Sequence, residues 1–485
     1  MNRFKPRLLG VVMSGVFLTM GAQAAHADDS QAVLLKALLN KGILTEEEYS
    51  QITHDQGAEK QQAAVTSKIH LGDWIDGVTP EGDIRVRYEY RKAQGNIAGS
   101  GNPGSQQLDR ARYAWHLGLK TSSDNDFFTE IRFASSTNAR SPNVDFSTPI
   151  GGTNGSNGPM YKEGAAQVDR LSIGWNVADW LTLLAGRMQN PLYTTTLVWD
   201  PDLTPEGLAE QFKTKFGNVD VFATLGQYYV QSKWVQNINN GVDTTTSTIK
   251  VFPVQVGARY QFSEDSSIKA APVLYSYAGT NGLGKFTPGS GTGVGNTAAP
   301  YNSGTNSNMG VNNLQVLDIP AEYNWAMGGL SWKIFGDYAY NLQANARAAS
   351  AGYASEGGQD TALMAGLQFG SKLPLNKWES VGTYLTSAAG LKKHDWVGRV
   401  WYQRIDAFAL DPNLIDSDVM NAQVNLQGIA ASASYMLSDN AFITLSGAHA
   451  TRIDSKLGTG ASVDTSSINP TQKYDLIQMD ATWRF

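Results

Sequence analysis

The stretch 82–91, GDIRVRYEYR, has a period of two. Ile84, Val86, Tyr88 and Tyr90 fall on one face of an extended chain, and Arg85, Arg87, Glu89 and Arg91 on the other. The same pattern recurs in RARYAWHLGLK (110–120). There Tyr113, Trp115, Leu117 and Leu119 oppose Arg110, Arg112, His116 and Lys120. DFFTEIRF, RLSIGWNV, NVDVFATLG, PVQVGARYQF, LDIPAEYNW and LSWKIFGDYAY continue the series. Aromatic residues gather near the ends of the apolar faces, at Tyr88, Tyr90, Trp175, Tyr260, Phe262, Tyr323, Trp325, Tyr338 and Tyr340. A soluble sandwich would favour Lys, Glu and Thr on its wet face. Aromatic strand ends instead suit the interfacial girdles of a transmembrane β-barrel.

The connections alternate in length. Short links at 122–126, 178–179, 263–265, 326–328 and 437–440 are interleaved with long Gly/Ser/Asn loops at 92–109, 135–167, 278–312, 342–358 and 452–472. Short periplasmic turns and long external loops are the asymmetry of an outer-membrane barrel. Parity then requires a descending strand between Leu181–Met188 and Asn218–Gln227. GLAEQFKTKF (207–216) supplies it, with Phe212 and Phe216 on one face and Gln211, Lys213 and Lys215 on the other. The count becomes about sixteen antiparallel strands, even as a single-chain bacterial barrel needs. One link, 371–394, is longer than its side of the barrel predicts.

Bulk composition agrees with this reading. After the N-terminal leader no apolar run approaches the roughly 18 residues that a membrane helix needs, and mean hydropathy is −0.29. A net charge of −6 gives no electrostatic case for nucleic acid. Without cysteine, disulfides and thiolate metal sites are excluded. Arg3, Lys5 and Arg7, the apolar run from Leu8 to Met20 and Ala25-His26-Ala27 predict a signal peptide over 1–27. Residues 28–66 read as a periplasmic helical segment and linker: SQAVLLKALLNKG has helical spacing, and Thr45 with Glu48 forms a capping box. The barrel then occupies 67–485.

The last strand, YDLIQMDATWRF, ends at Phe485 with Trp483, Ala481, Met479 and Ile477 on one face. It is similar to the C-terminal signature read by the outer-membrane assembly machinery, with Trp483 and Phe485 as the assembly signal. Together with LLKALLNKGILTEEEYSQI, IRVRYEYR and LLAGRMQNPLYTTTLVWDPDLTPEGLAEQF (183–212), it resembles the putative porin family of Gram-negative bacteria. The resemblance spans most of the chain after the leader, and residues 186–209 are its most specific part. It implies a sixteen-stranded barrel passing small solutes across the outer membrane, and it names no solute.

No G-x-S-x-G occurs, the histidines lack zincin spacing, and the alternating glycines at 289–295 have no strand-to-helix context. A few Ser, His and acidic groups on a rim could still make an outer-membrane hydrolase. Asp200, Asp202, Thr204 and Glu206 place oxygens at alternate positions, as calcium loops do. However, Pro205 stands where such a loop needs glycine, and Gln211 where it needs glutamate. The pore reading uses more residues. Loop 190–206 follows the fifth strand and would fold inward, pinned by Tyr193, Leu197 and Trp199. It would present Asp200, Asp202 and Glu206 to Arg85, Arg87, Arg91, Arg110, Arg112, Arg132 and Arg170 across a constriction. Lys213, Lys215, Arg259 and Lys333 join these arginines, against Asp220, Asp318, Glu322 and Asp337, which suggests a mild anion preference. The expectation is a passive channel without cofactor or metal. Its partners would be outer-membrane lipids, the barrel-assembly machinery, further copies in a homotrimer and small solutes. A channel specific for sugars or phosphate-like anions is the alternative.

Overall fold

The computed structural model describes residues 77–98, 100–123, 126–136, 141–146, 165–231, 238–239, 242–243, 249–278, 313–350, 353–381, 390–412, 414–460 and 464–485. The expected signal peptide, the helical segment over 28–66 and the glycine-alternating stretch 289–295 lie outside the described residues.

Sixteen antiparallel strands close into a barrel. They are β1 Gly77–Ile97, β2 Pro103–Ser122, β3 Phe127–Ser136, β4 Ala165–Ala178, β5 Leu181–Arg187, β6 Glu206–Phe216, β7 Val219–Gln231 and β8 Ile249–Ser263. β9 runs in two pieces, Ser266–Ala270 and Val273–Ala278, interrupted at Pro272, which has no N–H to donate. β10 Gln315–Met327, β11 Leu330–Asn341, β12 Thr361–Ser371, β13 Trp396–Ile405, β14 Leu426–Met436, β15 Ala441–Arg452 and β16 Ile468–Arg484 complete the wall. β1 pairs with β2 on one side and with β16 on the other, from Asp83↔Arg484 to Ile97↔Ile468, so the sheet closes on itself. Gly82 N donates to Phe485 O (3.1 Å) and Phe485 N to Gly82 O (3.0 Å), which zips the seam to the last residue.

Burial along β1 is inverted relative to a soluble protein. Ile84, Val86 and Tyr88 are 47–49% exposed, while Arg85 is 7% exposed and Arg87, Glu89 and Arg91 at most 1%. Hydrophobic side chains on the outside and charges on the inside are stable only where the outside is lipid. Near the short turns the outer face carries a row of ring contacts through Tyr260, Phe262, Tyr323, Trp325, Trp332, Phe369 and Trp396, with centroids 4.8–6.2 Å apart. Rings with an apolar body and a polar edge settle at the boundary between hydrocarbon and water.

Two connections differ from expectation. Residues 92–109, expected as an external loop, mostly continue β1 and β2, paired from Lys92↔Gln107 to Asn96↔Pro103. Polar residues stand on both faces there because the strands have left hydrocarbon, so the alternation that marks a strand in lipid disappears. The long link after β12 contains helix α2 Leu375–Ser380, later in the chain than helix α1 Ala344–Ser350 between β11 and β12. Leu373, Trp378, Val381 and Leu391 bury against Val397, Met436 and Phe442. Trp378 Nε1 donates to Trp332 O (3.0 Å), and Lys333 Nζ donates to Val381 O (3.1 Å). Its described residues, 371–381 and 390–394, pack inside the mouth on the short-turn side.

β6 is the descending strand that parity requires, and it pairs with β5 and β7 in antiparallel register. Gly207, its second residue, has φ +149°, and a Cβ there would sit 2.0 Å from Gln227 O. Its cross-strand partner Gly186 has φ +112°. Only glycine fits this close approach. Gly207→Val should cost the folded barrel at least about 1–3 kcal/mol from backbone strain alone. A lower urea midpoint for unfolding from lipid vesicles checks this, and an unchanged midpoint would refute it.

Candidate functional site

The inner ends of β1 and β2 hold a dense ion network, because every second residue of GDIRVRYEYR points into the lumen. Arg87 forks onto two carboxylates. It meets Asp480 of β16 through Nε (2.7 Å) and Nη2 (3.1 Å), and Asp418 through Nη1 (3.0 Å) and Nη2 (3.2 Å). Arg91 pairs with Glu89 (3.1 Å) and Asp464 (3.1 Å) and donates to Tyr474 Oη (3.0 Å). Arg110 reaches Glu89 (2.5 Å), Asp464 (2.6 Å) and Asp145 (3.1 Å), and Arg112 reaches Asp145 (2.8 Å). Farther round the wall, Arg132 binds Asp169 and Arg170 binds Glu130 (2.7 Å). Bidentate guanidinium–carboxylate pairs offset the cost of burying either charge alone. Among the described residues Arg85 makes no ion pair within 4 Å. Its Nη2 donates to Asn143 Oδ1 at 2.7 Å.

Residues 188–205, between β5 and β6, turn into the barrel. Leu197 and Trp199 are buried, and Trp199 packs against Tyr228 and Tyr275 with centroids 6.3 and 6.5 Å away. Tyr193 N donates to Gln255 Oε1 (2.8 Å), Lys269 Nζ lies 3.8 Å above the Tyr193 ring, and Thr195 donates to Asp337. Asp200 accepts from Ser417 N (3.1 Å) and Oγ (2.9 Å), and its own N donates to Leu414 O (2.6 Å). Asp202 lies close enough to Arg85 and Arg87 to feel their charge. Glu206, by contrast, pairs with Arg187 (2.6 Å) at a half-exposed position and joins no arginine of β1–β4 among the described residues. Of the calcium-like spacing, Asp200 and Asp202 stay neighbours while Glu206 is held by Arg187. Among the described residues no group of three or more His, Asp or Glu is placed to hold a metal ion.

A second inserted segment, 406–425 between β13 and β14, was not singled out from the sequence. Phe408, Leu410, Ile415, Val419, Met420 and Val424 are buried in it, as are Asp416, Asp418, Asn421 and Asn425. Asn425 Nδ2 donates to Asp454 O and Leu457 O (both 2.9 Å), and Asn421 Nδ2 to Thr465 Oγ1 (2.8 Å). Asn421, Ala422 and Asn425 take positive φ of 55–61°. The available signal was DAFALDPNLIDSDVMNAQVNLQ (406–427), which mixes apolar and acidic residues without period two and lacks the Gly/Ser richness of the other loops.

The loop carboxylates divide by environment. Burial works to raise Asp418, but the charges of Arg87, Arg85 and Arg91 outweigh it and hold this carboxyl below the usual range. Asp464 is likewise held low by Arg91, Arg112 and Arg110 against the effect of burial. Asp416 and Asp202 are pushed well up, first by burial and then by the neighbouring Asp200 and Asp418 charges.

At the short-turn mouth, Arg259 pairs with Glu379 (2.7 Å) and Asp220 (2.9 Å), and Lys215 with Asp220 (3.6 Å). These groups line a cavity of about 630 Å³ beside α2. Lys333 pairs with Glu322 (3.3 Å), and Asp318 is fully buried on the wall of β10.

A closed antiparallel barrel with an apolar outside, an ionic lumen and inward-folded loops defines a channel-type membrane protein. Residues 102–485 match the family described as "Putative porin", and the chain belongs to that family. No curated protein matches it.

Two outcomes follow for the inserted loops. Arg87→Ala leaves Asp418 and Asp480 buried without their shared cation and should cost about 3–5 kcal/mol, read as a lower urea midpoint. A raised carboxyl holds its proton to higher pH in the folded protein than in the unfolded chain, so its contribution to stability falls as pH rises from the ordinary carboxylate value through the raised one. Asp418 and Asp464 act oppositely: their contribution is present above the ordinary value and lost as pH falls through their depressed values. Stability should therefore decline as pH rises above the ordinary carboxylate range. Asp416→Asn should flatten that decline and leave the acid limb in place, as urea midpoints across pH would show.

Proposed function

We propose that this protein is an outer-membrane channel through which small hydrophilic solutes diffuse passively, narrowed by segments 188–205 and 406–425. The observation that carries the reading is the inside-out wall: apolar residues face outward, and a lumen lined by ion pairs holds two inserted loops. The family match supports it. Diffusion through such a lumen needs no cofactor. The fixed charges of Arg85, Arg87, Asp418 and Asp480 create a field across the narrowing that orients polar solutes. Because most lumen arginines are matched by carboxylates, the net preference for anions is mild. Arg85 and the exposed Lys213 carry it. Insertion through the assembly machinery would use the C-terminal strand ending at Trp483 and Phe485.

Purified protein in planar bilayers should give discrete conductance steps in potassium chloride. A salt gradient should give a reversal potential displaced modestly to the anion side. Removing residues 412–421 should enlarge the conductance step. Absence of any channel would overturn the proposal, and a strong cation preference would overturn its selectivity.

A further inference from the structure

Arg85 differs from the other lumen arginines in its surroundings. It is 7% exposed, spends only Nη2 on Asn143, and has neither a carboxylate within 4 Å nor a partner for Nε among the described residues. The acids around it are engaged elsewhere. Asp83 is bonded to His116 Nδ1 (3.0 Å), and Asp418 and Asp480 are both forked onto Arg87. Asp202, the remaining neighbour, is among the carboxyls that burial drives towards the neutral form. The positive charge of Arg85 is thus left uncompensated by direct contact.

This side chain lines a cavity between segment 406–425 and the inner face of β13–β16. Its other walls are Trp401, Val419, Thr444, Ser446, Gln478, Asp480 and Thr482 among them. Trp401 Nε1 and Gln478 Oε1 are buried without hydrogen-bond partners. The cavity is open on one side and its free volume is about 30 Å³, room for roughly two water-sized groups. A carboxylate head has that size, with two acceptor oxygens for a guanidinium, an indole N–H and hydroxyls. Val419 and the Trp401 ring give its short carbon stem an apolar side.

We infer that this cavity is a binding subsite for small carboxylate solutes on the path through the barrel, with Arg85 as its anion-holding residue. The inference rests on the channel reading above. A carboxylate entering the lumen pauses at Arg85 instead of moving at bulk mobility, so its flux saturates.

The test is planar-bilayer conductance of the full chain in potassium acetate of rising concentration. Wild type should reach a plateau. Arg85→Gln should raise the half-saturating concentration about tenfold or more, the loss expected for a hydrogen bond to a charged group, and Arg85→Lys should recover most of it. Should Arg85→Gln fail to insert, wild type still decides. Excess acetamide, the uncharged isostere, should leave the acetate plateau in place. A current linear in acetate, an unchanged half-saturation in Arg85→Gln, competition by acetamide, or an equal plateau with chloride would each overturn the carboxylate subsite. Failure to open any channel in potassium chloride would instead remove the channel reading beneath it, and the two results are told apart in the same experiment.

Discussion

Hydrocarbon offers no hydrogen bonds, so each backbone N–H and C=O crossing it must find a partner within the protein. In a sheet that condition is met only by closure. Here it is met at the β1–β16 seam, where Asp83↔Arg484 to Ile97↔Ile468 pair and Gly82 exchanges both backbone bonds with Phe485. Everything else depends on that seam. Once the sheet is closed, successive side chains must face either lipid or lumen, and the alternation of GDIRVRYEYR becomes an address for each residue. Ile84, Val86 and Tyr88 go out; Arg85, Arg87, Glu89 and Arg91 go in.

The lumen then carries a burden that a soluble core avoids. It encloses many charges, and a buried charge is tolerated only with a partner and further hydrogen bonds. The inserted loops answer part of that demand. Asp418 and Asp464 come from outside the strands and complete the coordination of Arg87, Arg91 and Arg110. Apolar anchors such as Trp199 and Phe408 set the depth of each loop, while the ion pairs set its position across the barrel. Narrowing and charge compensation are thereby one structural event. Arg85, left out of the pairing, stands apart for the same reason.

Much of the wall was legible in the sequence. The parity argument placed a strand over 207–216, and β6 spans Glu206–Phe216. Residues 92–109 were misread because strands beyond the hydrocarbon lose the contrast that reveals them. Glu206 was grouped with the inward carboxylates because it shares a spacing with Asp200 and Asp202. The strand begins at Glu206, however, and its first side chain turns to Arg187. Segment 406–425 escaped notice because inward folding of a loop leaves no periodic signature. Its apolar residues meet partners such as Ala344, Ala348 and Leu457 that are distant in the chain.

By itself the sequence determined the strand-forming alternation, the even strand count and the inward face of Arg85, Arg87, Arg91, Arg110 and Arg112. These follow from local rules: the pleat has a period of two, and lipid and lumen demand opposite residues. Only the tertiary structure decided which carboxylate meets which arginine, that 406–425 joins 188–205 inside the barrel, and that Arg85 faces a cavity unpaired. Those outcomes depend on where closure brings residues hundreds of positions apart, such as Arg87 and Asp480. No spacing along the chain encodes the three-dimensional distance between two buried charges.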